Sequence, residues 1–138
     1  MARISSAGYV TALLRLLTAF NADDLDACEQ LLDKDVEWHS ATSYTGRAGV
    51  RSMLETLRER YTRPQARPDD FREAAGHVLM VISFYEADPD APPREQRQSW
   101  VAAMTEEGLV RRVIAYPSPA DAARALEALA AAALKVHA

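Results

Sequence analysis

Leu13 to Ser40, reading LLRLLTAFNADDLDACEQLLDKDVEWHS, is the stretch that decides the fold. It opens inside an apolar stripe of Val10, Leu13, Leu14, Leu17 and Phe20, the i, i+3, i+4, i+7 spacing of a helix that buries one face. Ser5 or Ser6 suits the N-cap of that helix. Asn21-Ala22-Asp23-Asp24 ends it, and the two aspartates can cap a second helix of about three turns carrying Leu25, Cys28, Leu31 and Leu32. Asp26 and Glu29 favour the positive end of that helix. Asp35-Val36-Glu37-Trp38 then opens a short strand over 36–40.

Beyond a polar loop, helical spacing returns over 46–61 through Val50, Met53, Leu54, Leu57 and Tyr61, and Pro64 and Pro68 bar its continuation. From residue 69 the apolar period changes to two, giving strands near 69–75, 77–87, 97–105 and 109–117. Gly76 turns the first pair, Asp88-Pro89-Asp90-Ala91-Pro92-Pro93 forms a long loop, and Glu106-Glu107-Gly108 makes a tight hairpin. Ser118-Pro119 is an N-cap and N1 pair for a last helix with Ala122, Leu126, Leu129 and Ala133 on its apolar edge. There is no internal repeat and no linker, so 1–138 reads as a single α+β domain, a curved antiparallel sheet wrapped around N-terminal helices with a C-terminal helix.

The chain has 138 residues, enough to bury one core without a staple. One cysteine cannot form an internal disulfide, and Arg3 and Arg15 interrupt the apolar character of the first twenty residues, so a cytoplasmic protein without a secretory signal is expected. The longest strongly apolar run, 78–84, falls far short of the roughly 20 residues that a membrane helix takes. Net charge is −4 and spread along the chain, which gives no basic field for nucleic acid. The three histidines lack metal-ligand spacing and the five glycines stand apart, so neither a metal nor an organic cofactor is implied.

Five motifs carry a family resemblance: Phe20-Asn21-Ala22-Asp23-Asp24-Leu25-Asp26, Asp35-Val36-Glu37-Trp38-His39, Tyr44-Thr45-Gly46, Glu73-Ala74-Ala75-Gly76-His77-Val78 and Gly108-Leu109-Val110-Arg111-Arg112-Val113. Through them nearly the whole chain resembles the nuclear transport factor 2-like superfamily, within it the SnoaL-like polyketide-cyclase and ketosteroid-isomerase group. The resemblance implies a cone-shaped, cystatin-like fold. It specifies fold strongly and function weakly, because the superfamily includes isomerases, cyclases, epoxide hydrolases, dehydratases and non-enzymes. The isomerase base falls at Ser40, its oxyanion tyrosine at Leu16 and its second acid at about Trp100, while the epoxide hydrolase acid falls near Ala115. None of these residues can replace the acid or tyrosine it aligns with.

The same resemblance implies which residues face the cup: Trp38, Ser40, Met80, Ile82, Phe84, Glu86, Trp100, Ala102, Met104, Val113 and Ala115. With Met53 and Tyr61 from the third helix, they suggest a small hydrophobic ligand held by apolar burial. The opposite parity, Leu79, Val81, Tyr85, Val101, Ala103, Ile114 and Tyr116, is too apolar for a solvated face and implies a homodimer through the outer sheet surface.

Candidate catalytic residues are Glu86, Ser40 and His39. Glu86 is the one acid on the cup parity, though it is also placed as a wet rim carboxylate. Ser40 can donate to a ligand carbonyl or merely end a strand, and His39 follows Trp38 and so turns away from it. Arg58, Arg60, Arg63 and Arg67 surround the end of the third helix, where they can grip an anion or simply solvate the helix terminus. Cys28 reads as packing. Two functions stand open: a cofactor-independent isomerase, cyclase or dehydratase acting in the cone, or a non-catalytic ligand-binding or protein-interaction module.

Overall fold

Ten elements make up the computed structural model, which describes residues 6–137. In chain order they are α1 (Ser6–Asn21), α2 (Leu25–Gln30), β1 (Leu32–His39), β2 (Ser43–Thr45), α3 (Gly46–Glu59), β3 (Pro64–Ala74), β4 (His77–Glu86), β5 (Glu95–Met104), β6 (Val110–Tyr116) and α4 (Pro119–His137). The expected cap at Ser5 or Ser6 lies outside the described side chains. The six strands form one curved sheet in the order β2-β1-β6-β5-β4-β3. Every junction is antiparallel except β1 with β6, which run parallel through Trp38 opposite Val113 and His39 opposite Ile114. The sheet is therefore mixed, a correction to the fully antiparallel expectation: the chain leaves β1 through a hairpin and returns to its other side only as the last strand.

The break after α1 follows from local chemistry. Asp23 takes a left-handed backbone at φ 57°, Asp24 N–H donates to the Ala19 carbonyl at 2.9 Å, and Asp23 N–H to that of Phe20 at 3.1 Å, the paired bonds of a Schellman turn. The Asp24 carboxylate then caps α2 by accepting from Ala27 N–H at 3.0 Å. The second helix is shorter than expected and stops at Gln30. Leu32 already belongs to β1, paired with Val110, because the Leu31 carbonyl accepts from Val110 N–H at 2.9 Å.

Two further strands depart from the sequence reading. Ser43–Thr45, expected as loop, pairs with β1 as the short edge strand β2. Strand β3 begins at Pro64 rather than near residue 69, in a segment whose prolines signal only the end of the third helix. Asn21 explains it. Its side-chain oxygen accepts from Ala66 N–H at 2.6 Å and its amide donates to the Ala66 carbonyl at 2.9 Å, on the side of β3 away from β4. By strand alternation Pro64 and Pro68 present their backbone to that same open side, so the missing N–H groups remove no ladder bond.

Two apolar clusters sandwich the sheet. On the concave face α1, α2 and α3 pack Leu13, Leu16, Phe20, Cys28, Val50 and Leu54 against Val36, Met80, Ile82, Phe84 and Val113. On the convex face α4 lays Ala122 and Leu126, both fully buried, over Leu79, Val81 and Val101. Part of the outer surface assigned to a dimer is thus covered by the chain's own last helix, which accounts for its apolar character. That helix is capped as the sequence suggests, with Asp121 N–H donating to Ser118 Oγ at 3.1 Å.

Replacing Asn21 by Ala strands both backbone groups of Ala66, so stability should fall by about 1–3 kcal/mol, the cost of unpaired part-buried peptide groups. Urea unfolding followed by circular dichroism reads that loss directly.

Candidate functional site

Trp38 projects from β1 and Trp100 from β5 onto the concave face, brought together across β6 by the pairings Trp38 with Val113 and Trp100 with Ala115. Their rings meet edge to face, 4.8 Å between centroids and 83° between planes, each residue only 2% exposed. Phe84 packs against Trp100 at 6.0 Å and Phe20 against Phe84 at 5.7 Å, so aromatic side chains fill the cone below the indoles. Such ring pairs contribute about 0.5–1.5 kcal/mol each beyond the area they bury.

Above the indoles a cavity of about 450 Å³ opens at the mouth of the cone. One wall is the face of α3 that carries Met53, Thr56, Leu57 and Arg60, spaced i, i+3, i+4, i+7. Opposite lie Ser40, Ala41 and Thr42 of the β1–β2 connection, with Tyr44 of β2. Gln96 and Gln98 of β5 and Ala115, Tyr116 and Pro117 at the end of β6 complete it. The floor is aromatic and the rim polar.

Hydrogen bonding fixes what the rim can offer. Trp100 Nε1, which can only donate, gives its proton to Gln98 Oε1 at 2.9 Å, leaving the Gln98 NH₂ as that amide's remaining group. Ser40 Oγ donates to the Thr42 carbonyl and Thr56 Oγ1 to the Ser52 carbonyl, both at 3.0 Å, which leaves these hydroxyls their lone pairs. Among the described residues the lining contains no carboxylate, imidazole or thiol.

Of the residues expected to form the site, the structure gathers Trp38, Trp100, Ser40 and Met53 around the cavity. Met80, Ile82, Phe84 and Met104 do face inward, but they are buried core beneath the indoles rather than a ligand wall. Tyr61 packs against the same core outside the cavity lining. His39 lies on the side of β1 opposite Trp38, as alternation requires, its ring nitrogens 3.1 Å from Glu37 Oε1 and from Ser43 Oγ.

Glu86 is not in the cavity lining. Its carboxylate accepts backbone N–H donors from Thr62 at 2.6 Å, Arg63 at 2.8 Å and Asp88 at 2.9 Å, clasping the α3–β3 connection to the end of β4. Desolvation pulls this carboxyl upward, but the three amides and the charge of Arg94 outweigh it and hold it below the ordinary glutamate value. A carboxylate held ionised in this way is a structural clasp, which corrects its reading as the general acid or base. Burial, seconded by the Asp24 charge, pushes the Cys28 thiol up to about 11 and leaves it packed and unreactive at neutral pH.

The arginine cluster separates by partner. Arg58 is tied to α1: Nε lies 2.7 Å from Asp23 Oδ1, a second nitrogen donates to the Phe20 carbonyl, and the guanidinium sits 5.1 Å over the Phe20 ring. Arg67 pairs with Asp69 at 2.9 Å and Glu95 at 3.5 Å. The hydroxyl of buried Ser83, then Arg67, holds the Asp69 carboxyl below its usual range. Arg60 alone of the four named arginines lines the cavity. The sequence carried a signal for it, seven residues after Met53, and for Gln98 and Gln96, two and four before Trp100; Tyr44, on an unforeseen strand, gave none.

Comparisons with known proteins agree with this architecture. A profile of the SnoaL-like domain matches residues 13–113. Among curated proteins none matches. A cystatin-fold protein from Novosphingobium aromaticivorans is 19% identical with a TM-score of 0.64, over 78% of this chain and 97% of the other. TerC, co-crystallised with polyporic acid, is 16% identical with a TM-score of 0.67, over 87% and 98%. RV0760c from Mycobacterium tuberculosis, in complex with estradiol-17β-hemisuccinate, is 11% identical with a TM-score of 0.67, over 82% and 95%. At these identities the structures share the fold and nothing finer. Matched by that profile over most of its length, and sharing its fold with a cystatin-fold structure, the chain belongs to the SnoaL-like domain family.

Proposed function

We propose that this protein binds a small, flat, largely apolar molecule at the mouth of its cone. The observation that carries the reading is the cavity of about 450 Å³ floored by two perpendicular indoles. That volume lies within the roughly 300–1,000 Å³ of small-molecule sites, and an aromatic floor with a few polar groups above it is their usual composition. Similar folds crystallised with polyporic acid and with estradiol-17β-hemisuccinate support a small-molecule reading.

We favour binding over catalysis. A SnoaL-like isomerase, cyclase or dehydratase must move a proton, and the described lining offers only the hydroxyls of Ser40, Thr42, Tyr44 and Thr56, the amides of Gln96 and Gln98, and arginine for that work. Those groups stabilise a developing oxyanion better than they abstract a proton. For assembly we propose a homodimer on the part of the outer face alongside α4, where Ala103, Ile114 and Tyr116 of the sheet and Leu129 of α4 border an apolar groove.

N-Phenyl-1-naphthylamine, a neutral aromatic probe, should quench the tryptophan emission saturably. Ala115→Leu, which adds bulk opposite Trp100, should weaken that binding at least about tenfold, 1.4 kcal/mol, without changing the far-ultraviolet spectrum. No saturable quenching in the unsubstituted protein would end the ligand-binding reading.

Glu86→Gln should leave probe affinity within experimental error and lower the melting temperature. The sign of its pH dependence follows from the lowered carboxyl: the stabilisation is complete above the ordinary value of 4.5 and disappears as pH falls through the lower folded-state value. The variant should therefore lose less stability than the parent in that acid window, as thermal melts taken across it would record.

Ile114→Glu should convert a dimer to a monomer in sedimentation equilibrium, and a parent already monomeric would refute the assembly.

A further inference from the structure

Arg60 occupies the C-cap position of α3, where an arginine ordinarily serves by solvating the last carbonyls of the helix. Here that task falls to another residue, since a guanidinium nitrogen of Arg94 donates to the Arg60 carbonyl. Among the described residues the Arg60 guanidinium itself has no hydrogen bond or ion pair. It stands instead on the Met53-Leu57 face of α3, lining the cavity beside the aromatic floor. Its neighbours have other work: Arg58 is spent on Asp23 and Phe20, Arg67 on Asp69 and Glu95, and Arg63 is outside the lining.

The second observation is the orientation of Gln98. Trp100 Nε1 can bond only the oxygen of that amide, so the indole at the floor leaves the Gln98 NH₂ as the donor available to an occupant. Arg60 and Gln98 thus border one aromatic cavity with donors, and no acid in the lining opposes them. Arg97, between Gln96 and Gln98 on β5, has the opposite parity, and its Nε lies 3.6 Å from Asp69 Oδ2. An arginine fork matches a carboxylate or sulfonate with paired bonds, and charge-assisted bonds of this kind are roughly twice as strong as neutral ones.

Building on the ligand-binding reading above, we propose that the natural ligand is a flat aromatic anion, its acidic group held by Arg60 and a neighbouring oxygen by the Gln98 amide. The assignment fixes the direction of binding as well as the charge: rings toward Trp38 and Trp100, acid toward the end of α3.

A matched pair of probes tests it. 8-Anilinonaphthalene-1-sulfonate and N-phenyl-1-naphthylamine share one ring system and differ by the sulfonate. Arg60→Gln should weaken the sulfonate probe about tenfold and the neutral probe less than twofold. Arg60→Lys, which keeps the charge without the fork, should fall between the parent and Arg60→Gln for the sulfonate. Arg63→Gln, an equal change of net charge outside the lining, should leave both probes within twofold. Equal losses for the two probes in Arg60→Gln, or equal losses of the sulfonate probe in the Arg60 and Arg63 variants, would overturn the anion assignment. Failure of the neutral probe to bind the parent protein would instead remove the pocket reading on which it rests.

Discussion

The edge-to-face packing of Trp38 on Trp100 divides the cone into two regions with different physics. Below it, Phe84, Phe20, Met80 and Ile82 are packed as densely as any core, and the volume is spent on stability. Above it, the walls diverge and the same sheet borders a space sized for a ligand. The indoles belong to both, since their buried faces anchor the core and their upper surfaces form a floor. Trp100 extends this role through its single N–H, which is satisfied within the floor by Gln98 and sets the direction of a polar group in the wall.

The helix that borders this space is held at both ends by charge-assisted contacts rather than by apolar packing alone. Near its start Arg51 bridges to Asp26 and Glu29 of α2 and to Glu55 one turn on. Near its end Arg58 reaches the carbonyl terminus of α1. Exposed ion pairs contribute little individually, but these two arginines tie α3 to α2 and to the end of α1 beside the apolar packing of Val50, Leu54 and Leu57. With α3 set in this way, the i, i+7 pair Met53 and Arg60 necessarily falls on one wall of the cavity, apolar below and cationic above.

Much of this was legible in the sequence wherever one local rule governed. The Asn21-Ala22-Asp23-Asp24 break, the helix expected over 46–61 and seen as Gly46–Glu59, the period of two in β4 and β5 and the Ser118 cap all follow residue spacing and capping chemistry. The failures came where a distant partner decided. Pro64 and Pro68 enter a strand because Asn21, more than forty residues earlier, supplies a mate for Ala66; Leu32 leaves its helix for a strand because Val110 pairs with it. Parity correctly placed Trp38, Met80, Ile82, Phe84 and Trp100 on the concave face, but parity carries no depth, so core and cavity wall read alike. Glu86 had the right parity and the wrong surroundings: its partners are backbone amides of Thr62, Arg63 and Asp88, groups that every sequence contains and none advertises.

The outermost strand, β3, bears on how these molecules behave in a crowd. An exposed sheet edge ordinarily invites a foreign strand to continue the ladder. Along the first half of β3 that invitation is withdrawn residue by residue: Pro64 and Pro68 offer no N–H, and Ala66 between them is already engaged by Asn21. The bulge between Pro68 and Asp70 then throws the remaining edge out of register, where Asp70, Arg72 and Glu73 surround the exposed Phe71 with charge. A chain built this way can be concentrated without its sheets growing into one another from that side, and the side chain that terminates the first helix is what keeps the edge closed.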